Sequence, residues 1–234
     1  MKTILVLGLG KFGSRVVDVL SKRKGVRIFA FDREDKVIER LAEKVHTAGS
    51  GDLNDAEALK SFLNEIGTVH AAVISVGDAV NTSILAALML REIGVQRIII
   101  KAVDESHRRV LEAIDHGFPG GRHFDVLIPE LDAAERTGRL VASSFVANEL
   151  TLAEGFGMME VKCPPEWTRR TLRELELRRR YHITVVGYRV PDASNQQAGD
   201  LQFATPDTKL PEECLITVVG RREDLEALEQ KFGS

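Results

Sequence analysis

Short apolar runs alternate with amphipathic stretches from residue 1 to about residue 130. Ile4–Leu7, Arg27–Phe31, Ala71–Ser75, Arg97–Lys101 and Val126–Ile128 are brief and rich in Val and Ile, as strands buried on both faces of a parallel sheet are. Val45–Ala48 takes the third strand position in this series. Helical spacing marks Ser14–Lys22, Lys36–Lys44, Asp55–Ile66, Asn81–Ile93 and Glu105–Ile114 between them. The alternation predicts an α/β fold, a Rossmann-like doubly wound parallel sheet with helices on both faces. The segments share no repeating sequence, which excludes a solenoid.

A Pro-free helical pattern over Ala133–Leu152 predicts a connecting helix. Beyond Gly155 the pattern changes. Met158–Lys162 has the pattern of a strand that ends at Pro164-Pro165, and Thr168–Leu177 that of a helix. Ile183–Val190 is a further strand, Asp192–Gly199 a polar turn, and Leu201–Ala204 a segment that pairs back. Strand Leu215–Val219 and helix Glu223–Phe232 close a small α+β domain. The expected division is 1–132 for the first domain, 133–154 for the linker helix and 155–234 for the second domain.

Composition narrows the function classes. At 234 residues the chain can bury a full core, and its net charge of −3 supplies no basic field for nucleic acid. The two cysteines, Cys163 and Cys214, are far apart and fit neither a disulfide framework nor a zinc site, which suits a reducing cytoplasm. The N-terminus enters a strand without the charged region or cleavage site of a signal peptide, and the apolar runs are too short to span a bilayer. A membrane, if one matters, enters through a partner.

The chemistry concentrates in ILVLGLGKFG, where a strand runs into Gly8-x-Gly10-x-x-Gly13 and then a helix. This turn brings a nucleotide's phosphates onto exposed backbone N–H groups. Gly8 allows the turn, Gly10 lets phosphate approach, and Gly13 lets the helix lie close on the strand. Asp32 ends the second strand about 20 residues on, where a carboxylate accepts the ribose hydroxyls and repels a 2′-phosphate. Arg33 blurs that discrimination, because a guanidinium holds such a phosphate. The alternative for Asp32 is an N-cap of the Lys36–Lys44 helix.

Asp52, with Leu53 beside it, faces the same crevice or caps the Asp55–Ile66 helix. Ser75, Val76 and Gly77 follow the fourth strand and line the crevice, and Asn81 caps the next helix or touches ligand. Lys101 needs an anion, either a phosphate or Glu130 or Asp104 in an ion pair. Glu130 holds Mg²⁺ or pairs with a basic residue. His46, His70, His107, His116, His123 and His182 lack metal-ligand spacing, and Arg178–Arg180 has the pattern of a solvated helix end. No nucleophile elbow, Ser-His-Asp order or Cys nucleophile with a clear base is present, so the chain is expected to bind a nucleotide without transforming it.

GLGKFG, FDRE, GDLNDAEAL, SVGDAVNTSILAALML, IIIKAVDESHRRVLEAI and VLIPE, in this order, resemble the RCK (regulator of K⁺ conductance) domain, also called KTN. TLRELELRRRYHITVVGYRV and CLITVVGRREDLEALEQKF resemble the RCK C-terminal subdomain. The layout is similar to the cytosolic gating subunits of Trk/Ktr potassium transporters. The resemblance implies a homo-oligomeric ring of dimers beneath a membrane K⁺-translocating subunit, binding ATP, ADP or NAD(H) and possessing no catalytic residue. It further implies that Lys11, beside Phe12, reaches terminal phosphates and that Asp32 holds ribose. Asp52 then flanks adenine, Lys101 faces phosphate, Glu130 meets a divalent cation, and the 133–152 helix clasps a partner. Two stretches depart from the family pattern, DHGFPGGRHFD before VLIPE and DASNQQAGDLQFATPDTKLPEE. An NAD-dependent oxidoreductase with a small added domain, and a nucleotide sensor without a channel, are the other readings of the same residues.

Overall fold

The computed structural model describes residues 1–77, 79–118, 124–191 and 199–233, and of Leu140 only the backbone. Asp78, His123, the middle of DHGFPGGRHFD and most of the 192–199 turn lie outside the described residues. The chain divides into two units, Met1–Glu130 and Leu131–Ser234.

The first unit alternates strand and helix: β1 (Lys2–Leu7), α1 (Lys11–Leu20), β2 (Val26–Asp32), α2 (Asp35–Leu41), β3 (Thr47–Ser50), α3 (Ala56–Ile66), β4 (Ala71–Ile74), α4 (Val80–Glu92), β5 (Arg97–Lys101), α5 (Glu105–His116) and β6 (Phe124–Leu127). The strands pair in parallel in the order β3-β2-β1-β4-β5-β6. Period-two alternation splits each central strand between two cores. Leu5, Leu7, Phe29 and Phe31 pack with Leu59, Phe62, Leu90 and Leu111 from α3, α4 and α5. Val6, Ile28 and Ala30 pack on the other face with Val17 of α1 and Leu41 of α2. Strands buried on both sides therefore carry uninterrupted apolar runs, as the sequence does.

One departure sits at the third strand. It runs Thr47–Ser50, two residues beyond the expected start, and within it a Cβ on Gly49 would strike the Phe31 and Phe62 rings at 2.8 Å. Apolar content alone does not mark such a strand.

Helix α6 (Pro129–Ala142) spans the division between the units. It ends ten residues before the expected Leu152, and β7 (Val146–Ala153) follows. The expected connecting helix over 133–152 is thus a helix and a strand. Ser143 turns the chain, its hydroxyl accepting from the Phe145 and Val146 N–H groups at 3.3 and 3.2 Å. Gly155, at φ +72°, then closes a hairpin that pairs β7 with β8 (Phe156–Lys162). Cross-strand pairing outweighs the helical spacing.

The second unit completes an antiparallel sheet, β10-β9-β11-β8-β7, with β9 (Thr184–Arg189), β10 (Gln202–Phe203) and β11 (Leu215–Arg221). The expected Thr168–Leu177 helix is two short ones, α7 (Leu172–Leu175) and α8 (Leu177–Tyr181), because Glu176 adopts left-handed backbone between them at φ 47°. Thr171 and Glu174 form a reciprocal capping box at the start of α7. Helix α9 (Arg222–Phe232) lays Leu225 and Leu228 on a core centred on Trp167, Met159, Val161 and Ile216.

Two contacts hold the elements around the glycine turn. A Cβ on Gly13 would stand 1.9 Å from the Gly8 carbonyl oxygen, so α1 rides directly on the turn. His107, buried in α5, links α5 to α4. The Val103 N–H donates to its Nδ1 at 3.3 Å, so the proton is on Nε2, which donates to Ser83 Oγ at 2.8 Å. Ser83 in turn donates to the Val80 carbonyl at 2.7 Å.

Gly13→Ala is expected to lower the stability of the first unit by about 1–3 kcal/mol, the usual cost of overpacking. Hydrogen exchange of α1 peptides measures it, and unchanged protection would refute the contact. Burial, opposed by Asp104, holds His107 below its ordinary titration range. The unfolded chain therefore takes up that proton first, so the histidine's contribution is full above about pH 6.5 and is lost as pH falls below it. Protection factors in α4 and α5, each referred to the intrinsic exchange rate at that pH, should fall between pH 7 and pH 5 in the wild type, and by less in His107→Gln.

Candidate functional site

Sheet order reverses at β1, which lies between β2 and β4. Crossovers leave in opposite directions there, and a crevice opens beyond the carboxyl ends of the strands. In this chain the crevice has a volume of about 440 Å³. Four strand ends on that side contribute to it: Gly8 and Gly10 after β1, Asp32 and Arg33 at β2, Asp52 and Leu53 after β3, and Ser75, Val76 and Gly77 after β4.

The glycines divide three tasks. Gly8 sits at φ +84°, and a Cβ there would meet the Ser75 carbonyl oxygen at 2.3 Å. Gly13 seats the helix, as above. Nothing lies within 4 Å of where a Gly10 Cβ would point, so this position leaves space beside the turn. Gly10 also precedes α1, whose first turn has neither a side-chain cap nor an acidic residue. Helix α4 begins the same way, with Ala79 at its cap position and no acid in its first turn. Helices α3 and α5, by contrast, are capped by Asp55 and Asp104. Uncapped N–H groups and the positive end of the helix dipole attract an anion.

Asp32 Oδ2 accepts from the Leu9 N–H, and Oδ1 accepts from the Glu34 N–H at 2.9 Å. The carboxylate thereby ties the glycine turn to the end of β2, and each oxygen keeps a second lone pair. The cap of α2 is Glu34, so the capping alternative for Asp32 does not apply. Asp52 likewise caps nothing: its Oδ1 accepts from the Asn54 N–H and side-chain amide, both at 2.9 Å, and Asp55 caps α3. Asn81 is exposed inside the first turn of α4 rather than at its cap.

The expected site residues do not all gather in the crevice. Lys11 is exposed at the start of α1, and Phe12 packs against the Val6 side of the sheet. Lys101 is paired, its ammonium lying 2.6 Å from the Glu130 carboxylate. That ammonium, and then Glu130's own backbone N–H, hold the Glu130 carboxyl below the usual carboxylate range. Among the described residues no three His, Cys, Asp or Glu side chains gather as a metal cage. The crevice also has walls that sequence reasoning passed over: Glu34, Val37, Gly51, Asn54, Ala79 and Thr82. Thr82 donates to Asn54 Oδ1 at 2.7 Å, joining the walls supplied by β3 and β4. The one available signal was position, since both follow predicted strand ends closely.

Comparison with known proteins gives the family. The TrkA-N domain model matches residues 4–117 and the TrkA-C domain model residues 158–233. Ktr system potassium uptake protein C of Bacillus subtilis (strain 168) is 30% identical over 185 residues, covering 79% of this chain and 79% of that protein. Ktr system potassium uptake protein A of Vibrio alginolyticus is 29% identical over 226 residues, 96% of this chain and 94% of that protein. The crystal structure of the GsuK RCK domain has the same fold, with a TM-score of 0.50 at 22% identity over 99% of this chain and 46% of that one. With both domains in tandem and these relatives beside them, the chain belongs to the RCK/KTN family of regulatory subunits of Ktr-type potassium transporters.

Proposed function

We propose that this chain senses an adenine nucleotide in the crevice at β1 and passes the ligand's identity to a membrane K⁺-translocating subunit, without chemical turnover. One observation carries the reading: two uncapped helix starts, α1 and α4, meet Asp32 at the reversal point of the sheet. Phosphates suit the helix starts, and a ribose suits the free lone pairs of Asp32. ATP, ADP and NAD(H) all present this pair of groups. The names of the Ktr relatives support a potassium uptake system as the setting. No helix among the described residues is long and apolar enough to cross a membrane, which supports a cytoplasmic subunit held at the membrane by its partner.

Regulation follows from differential affinity. In a ring of dimers, a triphosphate and a diphosphate or dinucleotide favour different shapes, and only that difference moves the population. Shifting a two-state ring from 1:99 to 99:1 takes about 5.5 kcal/mol. Spread over several subunits, a few charge-assisted hydrogen bonds each suffice. Lys11, exposed at the start of α1, is the side chain in this proposal that reaches the outermost phosphate. The Lys101–Glu130 pair is taken as structural, so the proposal needs no cation at Glu130.

Calorimetric titration with adenosine, ADP, ATP, NAD⁺ and NADH tests the site. The phosphorylated ligands should bind, and more tightly than adenosine; silence from all of them at millimolar concentration defeats the reading. Asp32→Ala should weaken each by about 1–3 kcal/mol, the range for a lost charged hydrogen bond. Sustained NADH oxidation with a metabolite would instead support an oxidoreductase. Co-expression with a Ktr-type membrane subunit should yield a complex that survives detergent purification, with K⁺ flux that changes between ADP and ATP. Flux indifferent to the nucleotide would remove the regulatory role.

A further inference from the structure

Two thiols distant in sequence meet at the ends of β8 and β11. One residue beyond the paired Lys162 and Leu215, the Cys163 N–H donates to the Cys214 carbonyl at 2.8 Å. Residues directly opposite on antiparallel strands send their side chains to the same face. In a hydrogen-bonded pair their Cα atoms are about 5.5 Å apart, inside the range of about 4.4–6.8 Å that a disulfide spans. Neither cysteine is in a disulfide, and the Cys163 thiol donates to the Pro164 carbonyl at 3.7 Å.

Both cysteines also line one cavity, of about 750 Å³, with Phe145, Leu215 and Phe232 as apolar wall and Lys162 at its side. The neighbouring sulfur, and then burial, pushes the Cys163 thiol up, while the neighbouring sulfur pushes the Cys214 thiol down against burial. When the pair gives up a proton, Cys214 therefore ionises before Cys163. A thiolate with a neighbouring thiol is the arrangement of an attacking sulfur and its resolving partner.

We propose that Cys163 and Cys214 form a reversible dithiol–disulfide site whose substrates are small organic disulfides admitted through this cavity. The Cys214 thiolate attacks one sulfur of the disulfide, forming a mixed disulfide and expelling one thiolate. That thiolate takes the proton of Cys163. With Cys214 capped, the charge that kept Cys163 protonated is gone, and its thiolate attacks the Cys214 sulfur. The bond to the second half of the substrate breaks, and a second thiolate leaves and is protonated by water. Two cysteine thiols are oxidised to one disulfide, and one small disulfide is reduced to two thiols.

The test treats the full chain with excess 2-hydroxyethyl disulfide, quenches with acid, and reads intact mass and free-thiol count. The wild type should lose the mass of two hydrogens and both free thiols, and dithiothreitol should restore them. Cys163→Ser should instead retain a hydroxyethylthio adduct on Cys214. Cys214→Ser should react at least tenfold more slowly than the wild type. The wild-type mass decides the matter even if a serine variant fails to fold. Inert thiols in the folded chain, disulfides between chains, or a Cys214→Ser variant as fast as the wild type would each overturn the site.

Discussion

A carbonyl oxygen and the first turn of a helix share a space too small for a methyl group, and the crevice is built on that contact. Gly13 lets α1 rest on the Gly8 carbonyl. The helix start is therefore aimed along the end of β1, and no side chain caps it. Asp32 then fixes the turn from the other side by accepting the Leu9 N–H. Backbone donors in the crevice are held by packing and by one carboxylate, so little reorganisation remains when an anion arrives. This is electrostatic preorganisation achieved with glycine and a single acid.

The two units solve burial in different ways. In the first, alternate residues of β1 and β2 serve two cores, and neither face of the sheet can take a polar substitution cheaply. In the second, one face of an antiparallel sheet packs on Trp167, Leu175 and the apolar stripe of α9. The other face of β8 turns Met158 and Glu160 outward, and Glu160 pairs with Arg189 across β11 at 2.9 Å. A parallel sheet suits a ligand crevice because all its strands end on one side. The antiparallel sheet instead brings chain segments from far-separated positions side by side.

The sequence made the first unit legible because its signals are local. Glycine spacing, a strand end at Asp32 and helix periods of 3.6 are each readable within about 20 residues. Three kinds of feature escaped. The strand β7 was hidden under helical spacing, since what selects it is a hairpin register with β8 that periodicity does not encode. Asn54 and Thr82 gave no motif, because their contact joins two loops distant in sequence. Lys101 and Glu130 were each ambiguous alone, and their 2.6 Å pairing emerges only when the fold brings them together. Cys163 and Cys214 are the extreme case, since sequence distance argued against the neighbour relation that sheet register imposes.

The outer strand of the second sheet has a further consequence. β7 is eight residues long and lies at an edge, where unpaired N–H and C=O groups would template the strand of another chain. Its pairing to β8 shifts register twice, between Val146 and Asn148 and between Thr151 and Ala153. Such shifts bend and over-twist a strand, so an incoming segment cannot follow it in one continuous ladder. These two shifts therefore protect the folded unit from edge-to-edge aggregation.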